Sequence, residues 1–173
     1  MSAPAQYAFR QLARADVTLL KSLLCVFGEA FGEIDTYQRS VPSDDYLARL
    51  LGKPHFIAMV ATDGDEVVGG IAAYQLDKFE QDRREIYIYD LAVAERHRRR
   101  GIARGLIGEL TRIAAARDAC VIFVQADLED GPAIALYESL GTRKPAHHFD
   151  FAVPAAGRRA RSRNANQRGN KPG

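Results

Sequence analysis

EIYIYDLAVAERHRRRGIARGLIGEL occupies residues 85–110. Its first nine residues are apolar at both alternating positions, with Ile86, Ile88 and Ala92 on one side and Tyr87, Tyr89, Leu91 and Val93 on the other. A strand written this way is buried on both faces and belongs at the centre of a sheet. From Gly101 to Arg117 the period changes. Ile102, Leu106, Leu110, Ile113 and Ala114 fall on one helical stripe. The run CVIFVQA, residues 120–126, is again an apolar strand. Strand, helix, strand in this order predicts a right-handed crossover joining two parallel strands.

Working outward, residues 56–76 read FIAMVAT, DGDE and VVGGIAAYQL, which predicts an antiparallel hairpin. Tyr7–Arg10 fits a short strand, and Val17–Phe27 spaces Val17, Leu20, Leu24 and Phe27 along a helix face. Residues 28–42 hold two glycines, a proline and three acids and read as a long loop that holds a broken turn, of the kind that often binds something. Ser43 is placed to cap a helix over Asp44–Leu51, whose first turn carries two acids. Downstream, Pro132 and Gly141 bracket a last helix over Ala133–Leu140, and a final strand is expected around Phe149–Val153. No internal repeat is present. The expected fold class is α/β of the α+β kind: a mixed sheet, mostly antiparallel, splayed between two parallel strands around Leu91–Val93 and Val121–Ala126 and flanked by helices.

The chain has 173 residues and is 47% hydrophobic, enough for one domain with a sizeable core. That domain is expected over 1–153. The remaining 154–173 carries Arg158, Arg159, Arg161, Arg163, Arg168 and Lys171 with no acid, and no Val, Leu, Ile or aromatic residue after Val153. It is expected to be a disordered basic tail, because it has no apolar surface to offset the entropy of ordering. No apolar run approaches the length of a membrane span, and Met1–Arg10 lacks a basic region followed by an apolar one, so neither membrane nor secretion is expected. Cys25 and Cys120 have no Cys or His at ligand spacing. His147 and His148 have none either, so no metal site is expected, and the location expected is the cytoplasm.

The net charge of +2 hides two opposed parts. Residues 1–153 hold 18 Lys and Arg against 22 Asp and Glu, and five of those cations crowd into Arg96–Arg104. One concentrated positive site in a negative surround attracts ligands of opposite sign to different places. The positive site is Arg98, Arg99, Arg100, Gly101, Ile102, Ala103 and Arg104. Free amides at a helix start, a glycine that admits close approach and bidentate arginines together suit a pyrophosphate. A solvated basic turn is the plainer reading. On the negative side, Asp90 stands in an otherwise apolar strand, where a carboxylate demands a cation or donors. Asp127, Glu129 and Asp130 cluster where the strand after the helix ends. Glu29, Glu33, Asp35 and Asp150 are weaker candidates on the same argument. With Tyr89, the acids Asp127, Glu129, Asp130 and Asp150 make up the expected substrate pocket.

These residues resemble the GNAT superfamily of N-acetyltransferases. Its acetyl-coenzyme A motif, Gln or Arg, two residues, Gly, one residue, Gly or Ala, is met by Arg98, Gly101 and Ala103, after a strand ending Asp90-Leu91-Ala92-Val93. A second likeness runs from Ala133 through Leu136-Tyr137 to Gly141, departing from the superfamily pattern at Pro132 and Thr142. Within the superfamily the chain looks most like the type I aminoglycoside 3-N-acetyltransferases, on FGEAFG at 27–32, the strand at 85–93, VQAD at 124–127 and Ala135-Leu136-Tyr137.

The resemblance implies acetyl-coenzyme A as cofactor, with Leu91, Ala92 and Val93 lending backbone groups to its pantetheine arm. It implies Tyr137 as the acid for the leaving thiolate and a homodimeric assembly. Asp90 is then the base for, or anchor of, the attacking amine. The expected substrate is an aminoglycoside, with a polyamine or protein amine as the alternative. A nucleic-acid binder using Arg96–Arg104 and the tail is the alternative outside enzymes, and the acidic remainder argues against it.

Overall fold

The computed structural model describes residues 7–153. Its strands are β1 (Ala8–Gln11), β2 (Phe56–Asp63), β3 (Glu66–Asp77), β4 (Arg84–Val93) and β5 (Ala119–Val124). Its helices are α1 (Val17–Phe31), α2 (Asp44–Leu51), α3 (Ile102–Ala116) and α4 (Gly131–Glu138). The strands lie in the order β1-β2-β3-β4-β5, with every neighbour antiparallel except β4 and β5, which run parallel across α3. This is the mixed sheet with one crossover that the sequence predicts.

Two apolar layers sandwich the sheet because β2 alternates into both. Ile57, Met59 and Ala61 join Ile102, Leu106 and Leu110 of α3, whereas Phe56, Ala58 and Val60 join Leu20, Leu23 and Phe27 of α1 and Leu47 and Leu51 of α2. The α3 stripe is the one legible in the sequence. The Ser43 cap also forms, its hydroxyl accepting from the Tyr46 amide at 3.3 Å.

Three expectations need correction. α1 continues past Phe27 to Phe31 and stops at Gly32, whose φ of 69° is left-handed, so the loop starts later than expected, and the broken turn expected within it is the π-helical turn over Asp35–Arg39. Residues 142–153, including the expected strand at Phe149–Val153, form no regular structure, and Phe149, Phe151 and Val153 are exposed. Apolar alternation marks this segment as strand-competent, but no described strand lies against it. Finally, β4 and β5 stay paired up to Ile88 and Val124 and part beyond them, so the splay falls at Leu91–Val93 as expected but opens on β5 past Val124 and not from Val121. The tail at 154–173 lies outside the described residues.

Candidate active site

The placement of Asp90 depends on a β-bulge. Opposite β3, Ala73 pairs with Ile88 and Ala72 with Asp90, so Tyr89 is an extra residue with no partner. Plain alternation would put Asp90 on the side of Ile86 and Ile88. The bulge reverses the parity. Ile86, Ile88, Leu91 and Val93 all pack on the α3 side, while Ala92 packs on the α1 side. The two-sided assignment read from the sequence is therefore wrong after Tyr89, and Asp90 shares the α1 face with Ala92.

On that face Asp90 is half-buried, and the Tyr37 hydroxyl donates to its Oδ1 at 3.2 Å. Burial raises the carboxyl above its ordinary value, and the Tyr37 bond acts in the opposite direction. Burial, with the neighbouring Asp90 charge as the second cause, pushes the Tyr37 phenol up to about 12. Tyr74 and Tyr87 are also raised, chiefly by burial. Around the carboxylate the rings form a wall: Tyr74 to Tyr89 at 6.0 Å, Tyr89 to Tyr87 at 5.9 Å and Tyr87 stacked on Phe123 at 5.1 Å. Tyr89 is 64% exposed, which leaves its ring open to a ligand. The result is a carboxylate at the foot of an aromatic wall, a setting for a cation.

On the other side of β4 lies the gap left by β5. Ala94 donates its amide to Val68 of β3 at 2.8 Å, so alternation turns the backbone groups of Leu91 and Val93 away from β3 and towards that gap. They form an unfilled strand edge, which an extended chain bearing amides can pair with. At its end the Arg98 Nε donates to the Val93 carbonyl at 3.1 Å, tying the basic loop to the strand. Arg99 and Gly101 both take left-handed φ, 63° and 81°. Together with the unpaired amides of the first turn of α3 they shape a concave cluster of N–H groups suited to an anion. A Cβ added at Gly101 would meet no protein atom within 4 Å, so the space above it is open to a ligand.

The arginines divide their work. Arg98 is used on Val93; Arg100 donates to the Tyr7 hydroxyl at 3.4 Å, and Arg104 donates to Ser139 Oγ at 2.7 Å, which fastens α3 to the end of α4. Ile102 is buried beneath the loop. Edge, amide cluster and open glycine suit an extended, amide-bearing chain that ends in an anion.

Tyr137 lines a cavity of about 370 Å³ that also touches Ile88, Val124, Ile107 and Leu140. It therefore stands where the strands begin to part. Burial raises its phenol, with the negative charge of Asp130 as a second cause, so it is a protonated donor at neutral pH. Asp130 caps α4, accepting from the Ala133 amide at 3.0 Å, which commits one of its oxygens. Asp127 and Glu129 are exposed beside it. Asp150 stands apart: its side chain is 94% exposed and pairs with His148 at 3.0 Å. The structure thus brings Asp90, Tyr89, the β4 edge and the basic loop to one end of the sheet; it brings Asp150 to none of them.

Sequence reasoning missed Tyr37. Its loop was flagged for acids, and the available signal was the aromatic spacing Phe27, Phe31 and Tyr37, which one helix and a turn gather into a cluster.

Comparison with known proteins agrees with this geometry. Residues 20–142 match the family described as the acetyltransferase (GNAT) family. A crystal structure of an aminoglycoside acetyltransferase, HMB0005, from an uncultured soil metagenomic sample is 54% identical, covers 86% of this chain and 99% of its own, and superposes with a TM-score of 0.84. A second metagenomic enzyme, meta-AAC0020, in complex with sisomicin, is 27% identical over 85% of this chain and 96% of its own, with a TM-score of 0.78. Among curated proteins, N-acetyltransferase family 8 member 2 of Rattus norvegicus is 31% identical over 91 residues, 52% of this chain. The chain spans only about 40% of the length of that relative. The GNAT family uses acetyl-coenzyme A as its acetyl donor. With the family matched across more than half of its length and the fold in agreement, the chain belongs to the GNAT family of acetyltransferases.

Proposed function

We propose that the protein transfers an acetyl group from acetyl-coenzyme A to an amino group of an aminoglycoside, the 3-amino group by resemblance. The carrying observation is Asp90, a half-buried carboxylate with a phenol as its hydrogen-bond partner, open beside the cofactor edge and under an aromatic wall. The 54% identity to an aminoglycoside acetyltransferase over most of the chain supports the same substrate class.

The cofactor supplies a thioester whose carbonyl is the electrophile. The chain does the rest by position and charge. Arg98–Arg104 and the first-turn amides of α3 hold the anionic end, while the Leu91, Ala92 and Val93 backbone aligns the arm along β4. Asp90 binds the ammonium and takes its proton, and its raised carboxyl makes it a better base than an ordinary aspartate. An amide at Leu91 or Val93 would donate to the thioester oxygen when the arm lies along β4, and Tyr137 would hold a proton for the sulfur. Tyr89 and the acids Asp127, Glu129 and Asp130 hold the remaining ammonium groups of a polycation, a role from which the remote Asp150 drops out. Catalysis needs no acyl-enzyme, since Asp90 frees the amine to attack the thioester directly.

The test is mass spectrometry of gentamicin, sisomicin, spermidine and a basic peptide, each incubated with the protein and acetyl-coenzyme A. A gain of one acetyl group on an aminoglycoside at the highest kcat/KM is expected, as is a raised inhibitory concentration in a susceptible strain expressing the gene. Preference for spermidine or the peptide would replace this reading with the generic amine one. A homodimer belongs to the same proposal, supported by the exposed Phe149, Phe151 and Val153 and by the outer edge of β5, which no described residue pairs. Sedimentation at micromolar concentration decides that part.

A further inference from the structure

Asp90 stands beyond the bulge of β4 on the α1 face, and its one side-chain partner comes from 53 residues away in sequence. The partner's seat is well built. The Tyr37 ring packs against Phe27 at 6.0 Å and Phe31 at 5.8 Å, and those two rings stack at 5.6 Å. Backbone bonds hold the turn to α1: the Glu33 amide donates to the Gly28 carbonyl at 2.9 Å and the Tyr37 amide to the Glu33 carbonyl at 3.1 Å. Gln38 Nε2 adds a bond to the Cys25 carbonyl at 3.1 Å. At Gly28 the approach is close: a Cβ there would lie 3.2 Å from Tyr37 Cβ and 3.0 Å from Gln38 Nε2. A π-helical turn set this firmly on α1 has a fixed side-chain direction, and Tyr37 is directed at the carboxylate.

We propose that Tyr37 is a positioning residue for acetyl transfer: its hydroxyl holds Oδ1 of Asp90 and fixes the carboxyl plane, which leaves Oδ2 to receive the substrate ammonium. A carboxylate held by one neutral donor keeps its charge for the substrate. An arginine in that place would neutralise it. The polar groups that face Asp90 are Tyr37 from the α1–α2 segment with Glu33 behind it, Tyr74 from β3, and Tyr87 and Tyr89 from β4 itself. The raised phenols of Tyr37, Tyr74 and Tyr87 stay neutral throughout the range in which a carboxyl titrates. Loss of the Tyr37 hydroxyl therefore removes a donor to the charged form and adds no compensating charge.

Tyr37→Phe keeps the ring on Phe27 and Phe31, so the melting temperature should stay near that of the wild type. The deciding measurement is a carbon-13 titration of the aspartate carboxyls in the free protein, with the Asp90 signal identified by its loss in Asp90→Asn. In Tyr37→Phe the Asp90 inflection should move to higher pH. An inflection that stays where the wild type has it overturns the proposal, whatever the substrate. The kinetic arm rests on the acetyltransfer reading: the acid limb of kcat/KM should shift upward with the inflection, and kcat should fall. In an Asp90→Asn background the same substitution should change kcat by less than about twofold, because residues acting through one another are not additive. Full additivity there would also overturn it. If the inflection moves but no amine is acetylated, the substrate reading fails and the Tyr37 assignment stands.

Discussion

Replacing Gly101 by valine separates the cost of backbone strain from the loss of an anion site. At φ 81° an L-residue pays about 1–2 kcal/mol, and a β-branched one sits at the upper end of that range. No protein atom lies within 4 Å of the added Cβ, so no clash adds to this in the free chain. In a domain of this size the strain should lower the melting temperature by about 3–6 °C. The added methyls would stand in the space above the α3 amides, and any relaxation of φ would turn the Arg99–Gly101 concavity open. Either route should weaken coenzyme A binding more than tenfold, or about 1.4 kcal/mol. Titration calorimetry with coenzyme A measures this, and pantetheine, which lacks the pyrophosphate, is the control whose affinity should hardly change. A folded Gly101→Val protein that binds coenzyme A as tightly as the wild type would refute the assignment of the anion site.

Asp90→Asn should lower kcat sharply and yet raise the melting temperature at neutral pH. Because burial raises this carboxyl, its charge costs stability above its own titration, and the gain should vanish as pH falls below the ordinary aspartate range. Tyr137→Phe should reduce kcat by about 10²-fold or more if the phenol is the acid for the thiolate, with coenzyme A affinity retained; unchanged turnover would return Tyr137 to a packing role. Asp130→Ala should cost about 1 kcal/mol of stability as a lost cap, whereas Asp127→Asn should leave stability alone and raise KM for polycationic drugs in a salt-sensitive way. Truncation after Pro154 should leave kcat unchanged, and a collapse of turnover in a folded truncate would place the basic tail in the site.

The sequence made some of this site readable because one residue type answers one local need. The stripe on α3, the Ser43 cap and the glycine before the helix each solve a problem within a few residues, and each is found where the pattern puts it. Asp90 was conspicuous for the same reason, as a charge in an apolar run. Its surroundings were not readable. The bulge at Tyr89 depends on how β3 and β4 register, and the Tyr37 contact depends on a π-helical turn packing onto α1, neither of which leaves a periodic signal. The exposed segment at 149–153 shows the converse, since alternation marks a strand but cannot supply the neighbour that makes it one.

The bulge at Tyr89 also decides which change of length this strand can absorb. With Tyr89 removed, Asp90 would follow Ile88 directly, and plain alternation would keep Asp90 and Ala92 on the α1 face and Leu91 and Val93 on the α3 face. The carboxylate would keep its side of the sheet, and the loss would fall on the exposed ring beside it. Flattening the bulge with every residue kept would do the opposite: the carboxylate would be driven into the oily layer under α3, and Leu91 and Val93 would be turned out among the tyrosines. Among relatives of this chain, a one-residue gap at this position should therefore mark a loss of the extra ring and leave the side of the carboxylate unchanged.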